Sequence, residues 1–464
     1  MSTGGKYIIE STTYAKQDEI LLNRKLLDAK IKEQYCGPFL LGLNTHATFI
    51  KKYYKPIVPV AYEYRAEMAE TGNLGFGTNR FSLQQYGDFT GAVVLSCRLS
   101  GLAALSPLDR CAYVDLLGHK LISKVVLEIG GNKIDEYTGE AYNVYYNYFV
   151  PEDKRAAWLH SVGQEVPEQV YVQQDDGDLY REQKNIVFGP QTPKPAHDTV
   201  QLNIPIIFDC FLRKTSSLFS AKIPFGLRFL YITLNPDIFY GIDGGGGGAI
   251  TPPTITGNII VENIFMDPQV VSALKTGTYR SLVRVFKENT YSVLPGETNI
   301  KLDQLRFPTE HIYFGVRPAV NTGPTDWWRF HSTNPLAATF PVRIPPNQLA
   351  FRTVNVFRPT TTITDIMFLT KNTEIVRRDK TEFYNCVQPL AKSRSPHDTG
   401  LLLYSFARDT HTDEPTGFYN ISNEREFYIK FTAATTGTLY VMGYSLNWIE
   451  INETGITIIK YVSD

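Results

Sequence analysis

The sequence has few cysteines, no long apolar run and almost no net charge, and each shortage excludes a class of protein. Its five cysteines are odd in number and contain no Cys-x-x-Cys pair, which argues against a zinc ribbon and predicts buried, reduced thiols. No apolar run approaches the ~18 residues that span a bilayer, and no signal-peptide core follows Met1, so we expect a soluble intracellular protein. The 46 basic and 47 acidic residues nearly cancel, which argues against direct nucleic-acid binding.

Motifs for metal, phosphate and nucleophilic chemistry are also missing. The eight histidines form no His-x-His pair and no His-Glu-x-x-His motif, and the Gly-x-Ser-x-Gly nucleophile elbow is absent. The run Gly244–Gly248 is not followed by the Gly-Lys-Ser/Thr of a phosphate-binding loop. Asp175, Asp176 and Asp178 lack the spacing of an EF-hand, which favours a solvated acidic turn. We therefore expect no catalytic residue, no cofactor and no bound metal.

One enzyme class stays open, because a glycosidase takes its two catalytic carboxylates from separate strands and leaves no local motif. The available carboxylates are Glu63, Glu67, Glu424 and Glu426. Alternating charges on strands are usually the solvated face of a sheet, so the structural interpretation is favoured.

What the sequence does contain is aromatic, alternating and rich in turns. Its 28 tyrosines and 27 phenylalanines favour pleated, half-buried surfaces. Apolar side chains recur at every second residue in 124–129, 229–234 and 426–431, with turn signals such as Gly130-Gly131-Asn132 between such runs. Long helical patterns are rare, so we predict an all-β protein made of antiparallel sandwiches.

Two segments have a helical composition. Residues Tyr14–Gln34 contain no glycine or proline and predict an N-terminal helix; Asp153–Ser161 predicts a shorter one. The apolar residues of the first helix fall on two opposed faces, which is typical of a helix packed between two partners. The candidate partner-facing residues are Leu22, Leu26, Leu27 and Ile31.

The length of 464 residues favours two domains, because single cores stop growing at ~250–300 residues. The glycine- and proline-rich stretch Gly241–Gly257 lies near the midpoint and has the composition of a linker. The predicted division is an N-terminal arm (1–40), a first β domain (41–240), the linker (241–257) and a second β domain (258–464). No repeat links the two halves in sequence.

Trp327-Trp328, followed by Arg329-Phe330, is the densest aromatic cluster. Such a cluster is consistent with a carbohydrate platform or an interface anchor, and equally with core packing at the base of a loop.

Several short motifs, taken in order, resemble the major capsid proteins of nucleocytoplasmic large DNA viruses, most closely the asfarvirus type. They are Tyr54-Lys55-Pro56-Ile57-Val58-Pro59, Gln85-Tyr86-Gly87-Asp88-Phe89, Val162-Gly163-Gln164-Glu165, Gly189-Pro190-Gln191-Thr192-Pro193-Lys194, Ile223-Pro224-Phe225-Gly226 and Arg425-Glu426-Phe427-Tyr428-Ile429. The chain is considerably shorter than the asfarvirus pattern, with less sequence between the matched motifs.

The resemblance implies a double jelly roll, two eight-stranded sandwiches side by side, here with a short N-terminal helix. It places the end of the first jelly roll near Leu227–Leu234 and the start of the second near Ile259–Met266. It also implies homotrimeric, pseudo-hexameric capsomers that tile an icosahedral shell over an inner membrane. The implied partners are other copies of the chain and minor capsid and penton proteins; the implied location is the virion capsid, assembled in the host cytoplasm.

A capsid building block is therefore the leading prediction for function. The alternatives are a β-sandwich spike or fibre module that binds host glycans through Trp327 and Trp328, and the jelly-roll glycosidase.

Overall fold

The first half of the chain forms one eight-stranded sandwich. The computed structural model describes residues 60–459 apart from 166–167, 173–181, 187–188, 214–216, 225, 267, 345–347, 372, 425, 454 and 456. The strands of the first sandwich are β1 (Val60–Glu67), β2 (Gly77–Ser82), β3 (Phe89–Ser100), β4 (Ile122–Ile129), β5 (Asn132–Thr138), β6 (Val200–Pro205), β7 (Arg228–Leu234) and β8 (Thr254–Met266). They pair antiparallel in two sheets, in the orders β1-β8-β3-β6 and β2-β7-β4-β5.

The second sandwich repeats this plan strand for strand. Its strands are β9 (Tyr279–Val293), β10 (Gly296–Lys301), β11 (Pro308–Pro318), β12 (Ile363–Thr370), β13 (Thr373–Lys380), β14 (Leu402–Ser405), β15 (Phe427–Ala433) and β16 (Gly437–Ile451). The sheet orders are β9-β16-β11-β14 and β10-β15-β12-β13, so each strand occupies the place of the strand eight positions earlier. The predicted double jelly roll is confirmed, and the duplication survives in topology although no repeat is visible in sequence.

Short helices and small hairpins decorate the connections. The helices are α1 (Leu117–Leu121), α2 (Glu140–Tyr148), α3 (Arg155–Ser161), α4 (Asp209–Leu212), α5 (Pro268–Lys275) and α6 (Gln388–Lys392). The additional strands are Ala103–Ala104, Arg110–Tyr113, Glu168–Val172, Glu182–Ile186, Phe239–Ile242, Ile250–Thr251, His331–Ile344, Gln348–Thr361, Tyr419–Asn420 and Thr457–Ile459. The helix predicted over Asp153–Ser161 is present as α3 and the single 3-10 turn before it. The predicted helix Tyr14–Gln34, with Leu22, Leu26, Leu27 and Ile31, lies outside the described residues, as does the Asp175–Asp178 turn.

The alternating segments form strands with one face in the core. In β4 the buried residues include Val125, Leu127 and Ile129, and in β15 they are Phe427, Ile429, Phe431 and Ala433. The core of the first sandwich continues into the junction with the second, where Phe286 and Tyr444 belong to the same apolar cluster. A separate cluster fills the second sandwich.

The predicted boundary between the two domains is wrong. Residues Ile259–Met266 do not begin the second sandwich, because they lie in β8, which pairs with β3 and β1 of the first. Segment Leu227–Leu234 is correspondingly the seventh strand, not the last. The chain crosses between the sandwiches later, through α5, and the second sandwich begins at Tyr279.

The stretch Gly241–Gly257 belongs to the first sandwich, as part of the β7–β8 connection and the start of β8, and is not a linker. Its flanks pair with strands in the β3–β4 connection, at Phe239–Ile242 and Ile250–Thr251. Between them the backbone wraps around one carboxylate: Asp109 Oδ1 accepts from the amides of Gly244 and Gly246 at 2.9 Å, and Oδ2 accepts from Gly248 at 2.9 Å. Successive amides converging on an anion form a nest.

This wrapping explains why the loop contains five glycines in a row. A Cβ on Gly244 would lie 2.0 Å from the Leu108 carbonyl oxygen, and one on Gly246 would lie 2.3 Å from Ser106 Oγ. The other three glycines of the run have φ between 66° and 108°, a region that side chains disfavour. A run that has the composition of a flexible spacer is therefore a sterically required turn.

We expect Asp109→Ala to open this glycine loop, because the amides that converge on the carboxylate lose their acceptor. Thermolysin cleavage before Ile250 should become much faster, whereas the exposed Asp237→Ala in the same connection should leave the rate unchanged. The amide of Gly244, with the other loop amides, lowers the pKa of Asp109. The stabilisation is therefore complete above the ordinary pKa of an aspartate and is lost only as the pH falls through the lowered value. Equal cleavage of Asp109→Ala and the unchanged protein at neutral pH would contradict this role.

The long connections of the first sandwich meet at one end, which we call the loop end. They are β3–β4, β5–β6 and β7–β8, and they are joined by backbone bonds such as Leu105 N–H to Ala249 O at 2.9 Å and Cys111 N–H to Lys194 O at 2.8 Å. The opposite end is called the base. Strand β8 runs from the loop end to the base, and Val60, the first residue of β1, is paired with Met266, the last residue of β8. Strand β1 therefore starts at the base.

Candidate functional site: the junction between the sandwiches

A balanced cluster of four buried charges lies between the two sandwiches. Asp209 begins α4 of the first sandwich and Arg213 directly follows that helix, whereas Arg284 and Glu310 come from β9 and β11 of the second; each side chain is at most 9% exposed. Arg213 pairs with Asp209 at 2.7 Å, and Arg284 Nε donates to Glu310 Oε2 at 2.6 Å. Arg284 Nη1 lies 4.0 Å from Asp209 Oδ1, which links the two pairs across the junction. Burial raises the pKa of the Glu310 carboxyl, and the Arg284 guanidinium opposes that shift.

Side chains of the first sandwich also satisfy the backbone of β9. Asp209 Oδ2 accepts from the amide of Arg284 at 3.0 Å, and Arg213 donates to the carbonyl of Leu282 at 2.9 Å. Buried backbone groups need such partners, and here they are found across the junction. The relative position of the sandwiches is therefore specified by directional bonds as well as by apolar packing.

Helix α2 supplies further contacts near the loop end. Tyr148 Oη donates to the carbonyl of Leu401 at 2.8 Å, and Asn147 Oδ1 accepts from the amides of His397 and Asp398 at 2.8 and 3.0 Å. At the start of the same helix, the Glu140 carboxylate forms an ion pair with the guanidinium of Arg317 on β11. One helix of the first sandwich thus contacts strands and connections of the second.

Trp327 anchors the β11–β12 connection to the first sandwich. Its side chain is 5% exposed, its Nε1 donates to the carbonyl of Asp115 at 2.8 Å, and the Lys120 ammonium lies 4.8 Å from its ring centroid. A backbone bond from the Asp115 amide to the Pro324 carbonyl, 3.0 Å, adjoins it. The core-packing interpretation of this cluster is correct for Trp327, which is too buried to form a carbohydrate platform.

Two of the motifs that carry the family resemblance, Val162–Glu165 and Gly189–Lys194, bind the loop end together. Gln191 Nε2 donates to the carbonyls of Val114 and Gly163 at 3.1 and 2.9 Å, and Gln164 Oε1 accepts from the amide of Leu116. Glu165 accepts from the amide of Thr192. Gln164 and Gln191 join the β3–β4 and β5–β6 connections, and Glu165 links two parts of the β5–β6 connection, so their role is structural.

Two of the four carboxylates considered for a glycosidase are bound by neighbouring side chains. Glu63 pairs with Arg65 at the surface at 2.8 Å, and Glu424 accepts from Thr370 and Tyr419 in the second sandwich. Glu67 is buried on β1, where burial raises its pKa to about 7. Glu426 is exposed.

Three further features are the cysteines, possible metal sites and possible membrane spans. Cys97, Cys111 and Cys210 are buried as predicted, but Cys386 is exposed, so the prediction of buried thiols is wrong there. Across the described part of the chain, no group of three or more His, Cys, Asp or Glu side chains has a metal-binding arrangement. Nor does any described helix combine the length and apolar character that a membrane span requires.

The residues of the junction itself had been missed, because no motif marks them. The available signal was a single charge inside an apolar strand: Arg284 stands between Val283 and Val285, and Glu310 precedes His311-Ile312-Tyr313. Charged residues are rarely fully buried unless they are paired, so each pointed to a partner that the sequence alone does not name.

Comparison with known proteins identifies this architecture. The model of the major capsid protein N-terminus matches residues 48–219, and that of the large eukaryotic DNA virus major capsid protein matches residues 280–459. The second match begins one residue after β9 does, in agreement with the boundary seen in the fold.

Individual relatives extend the likeness over the whole chain. The hexon protein p72 of African swine fever virus (strain Badajoz 1971 Vero-adapted) is 22% identical over 646 aligned residues, which cover 99% of this chain and 100% of the relative. Because this chain has only 464 residues, the relative contains segments that are absent here.

Two solved structures share the fold. The Faustovirus major capsid protein matches with a TM-score of 0.68 and 22% identity, covering 94% of this chain and 99% of that one. The PBCV-1 VP54 structure matches with a TM-score of 0.66 and 18% identity, covering 89% and 100%. With two family models that together span most of the chain, this protein belongs to the major capsid proteins of large eukaryotic DNA viruses and is a structural protein of the virion, not an enzyme.

Proposed function

We propose that three copies of this chain form a ring-shaped capsomer of pseudo-hexagonal outline, and that such capsomers tile an icosahedral shell. The observation that carries this proposal is the strand-for-strand repetition of the two sandwiches, held at one relative position by the buried junction. Three chains then supply six similar sandwiches, which approximates the six-fold symmetry of a hexagonal lattice. Cyclic closure limits growth at the capsomer and leaves lattice contacts for a later step.

The exposed apolar side chains also favour association. Leu105, Leu108, Val320 and Leu390 are 68%, 62%, 81% and 86% exposed, and all belong to connections rather than to core strands. Large apolar side chains at the surface of a soluble protein often mark contact sites with partners.

We expect the purified chain to scatter light as a particle of about three times 52.5 kDa, and to remain so on dilution because obligate interfaces often exceed ~2,000 Å². Negative-stain images should show particles with three-fold symmetry and a hexagonal outline. A folded monomer whose mass does not depend on concentration would refute the trimer.

We further propose that the N-terminal arm, residues 1–40, acts at the inner side of the shell, with minor capsid and penton proteins as partners and assembly in the host cytoplasm near an inner membrane. Support comes from the place where the arm joins the fold: β1 starts at the base, opposite the loop end. The two apolar faces predicted for Tyr14–Gln34 would both be covered if the helix packs between neighbours.

Deletion of residues 1–34 is expected to leave a folded trimer that assembles poorly into shells. Replacing Leu22, Leu26, Leu27 and Ile31 by glutamine should have the same effect at unchanged length, whereas alanine at the polar positions Gln17, Asn23, Lys30 and Glu33 should not. Trimer formation is measured by light scattering and shell assembly by electron microscopy. If either the deletion or the glutamine variant prevents the sandwiches from folding, the segment belongs to a core and its proposed placement is wrong.

A further inference from the structure

An open cleft lies between the two sandwiches at the base, where β8 ends and α5 follows. Its volume is about 340 Å³, which is within the range of pockets that hold a ligand. Its lining includes Gln85 from the β2–β3 connection, Lys222 and Pro224 from the β6–β7 connection, Lys275 from the end of α5, and Glu453 from the residues after β16.

Contacts within the chain hold the walls of this cleft in place. The Lys222 ammonium donates to the carbonyl of Lys275 at 2.9 Å and to that of Gly277, so the β6–β7 connection is bound to the end of α5. Opposite this contact, Gly455 adjoins Pro224 so closely that a Cβ on the glycine would lie 2.8 Å from the proline ring. Both sandwiches therefore form the cleft, and its shape follows from the fold.

Positive charge exceeds negative charge in the cleft. The ammonium groups of Lys222 and Lys275 stand against one carboxylate, that of Glu453. Burial lowers the pKa of the Lys222 ammonium, and the Glu453 carboxylate opposes that shift. An ammonium has three N–H donors, and the two carbonyls occupy only two of those on Lys222. Gln85 adds an amide, which can both donate and accept, so the cleft is suited to an anionic ligand with peptide-like groups.

The N-terminal arm joins the fold beside this cleft. Met266, the partner of Val60, donates its amide to Asp88 Oδ2 at 3.0 Å, and the amide of Ala221 in the cleft wall donates to the carbonyl of the same aspartate at 2.9 Å. In the sequence before β1, residues 36–59 contain three lysines and no acidic residue. Basic residues are therefore concentrated around the start of β1, although the net charge of the whole chain is only −1.

Two of the motifs that carry the family resemblance meet at this cleft. The motif at 85–89 supplies Gln85, and the motif at 223–226 supplies Pro224. Core packing explains Phe89, which is fully buried, but Gln85 is only half-buried and Pro224 is exposed. These two positions are therefore accessible to a partner.

We infer that the cleft binds an acidic segment of a partner protein at the inner side of the shell, with a carboxylate of that segment between Lys222 and Lys275. Ammonium–carboxylate hydrogen bonds are stronger than neutral ones, and the Gln85 amide can bond to the backbone of the same segment. A membrane surface is a poorer match, because it is flat and the cleft is concave. This inference rests on the proposed placement of minor capsid proteins at the inner side, and it names the site and the chemistry of the contact.

The test mixes the purified full-length chain with a fluorescein-labelled dodecapeptide of alternating glutamate and glycine, or with the matching glutamine–glycine peptide. We expect fluorescence anisotropy to detect binding of the acidic peptide only. Lys275→Gln should weaken that binding about fivefold, as expected for one exposed ion pair, and Glu453→Gln should strengthen it. The matched control, Lys124→Gln, removes a lysine that is 46% exposed near the loop end of β4 and should bind as the unchanged chain does.

A second measurement needs no variant and applies if a variant does not fold. A carbodiimide should couple the carboxylates of the acidic peptide to Lys275 of the unchanged chain, as located by mass spectrometry. Coupling only to other lysines, or equal binding by Lys275→Gln and the unchanged chain, would overturn the site. Phosphatidylserine vesicles that bind through Lys275 when the peptide does not would overturn the peptide partner in favour of a membrane.

The mass from light scattering separates this inference from the proposed capsomer. A trimer that does not bind the acidic peptide would overturn the cleft assignment and leave the capsomer intact. A monomer that binds the peptide through Lys275 would support the cleft and overturn the capsomer.

Discussion

Arg284→Ala is expected to lower the free energy of unfolding by about 3–5 kcal/mol, because it leaves the buried Glu310 carboxylate without its counter-charge. Glu310 loses its 2.6 Å partner, whereas Asp209 keeps the ion pair with Arg213. The guanidinium also donates to the carbonyl of Thr412 at 2.8 Å, and that bond disappears as well. Urea denaturation followed by tryptophan fluorescence measures the loss.

The same strand offers a matched control. Arg280 of β9 pairs with Glu450 at 2.8 Å, but its side chain is 46% exposed. Exposed ion pairs contribute up to about 1 kcal/mol, so Arg280→Ala should cost less than that. Arg284→Lys keeps the charge but lacks the planar fork that serves several acceptors, and should fall between the two. Equal losses for Arg280→Ala and Arg284→Ala would show that the buried charges do not hold the junction.

Trp327→Ala is expected to destabilise the protein by a similar amount, about 3–5 kcal/mol, as is usual when a large buried aromatic side chain is truncated. The substitution removes the indole that packs between the sandwiches, its hydrogen bond to the Asp115 carbonyl and its contact with Lys120. Because these contacts join the β11–β12 connection to the first sandwich, proteolysis of that connection should accelerate. Thermal denaturation and limited proteolysis check the two effects.

Two further variants show how much of the stability comes from the hydrogen bond of Trp327 and how much from the neighbouring tryptophan. Trp327→Phe keeps most of the apolar surface but leaves the Asp115 carbonyl without its donor, which should cost about 1–3 kcal/mol. Trp328→Ala removes the neighbouring ring, which is only half-buried beneath Arg329, and should cost less than Trp327→Ala. If Trp328→Ala proves the more damaging, the anchor has been assigned to the wrong tryptophan.

The candidate site shows why motifs alone were insufficient. The motifs around Gln164 and Gln191 were visible in the sequence, yet in the structure they join loops and do not form the junction. The junction depends on Asp209 and Arg284, which lie 75 residues apart. A single buried charge indicates that a partner exists, but the partner's identity depends on which strands the fold brings together.

Local patterns were enough to establish that the protein is all-β, because a strand, unlike a helix, places residues at every second position on the same face. They also located strands such as β4 and β15, and they revealed no motif for the chemistry of an enzyme. These properties depend on residues that are close to one another in the sequence, so the sequence alone is enough to infer them.

Long-range pairing, by contrast, assigned each strand to its sandwich and gave the glycine run its role. The alternation in β8 marks a strand equally well in either sandwich, and its pairing with β3 brings together residues more than 150 positions apart. The run Gly244–Gly248 has the composition of a flexible spacer until Asp109, far away in sequence, provides a carboxylate for its amides. In both cases the deciding bond is between distant residues, so the local pattern is compatible with more than one structure and the fold selects among them.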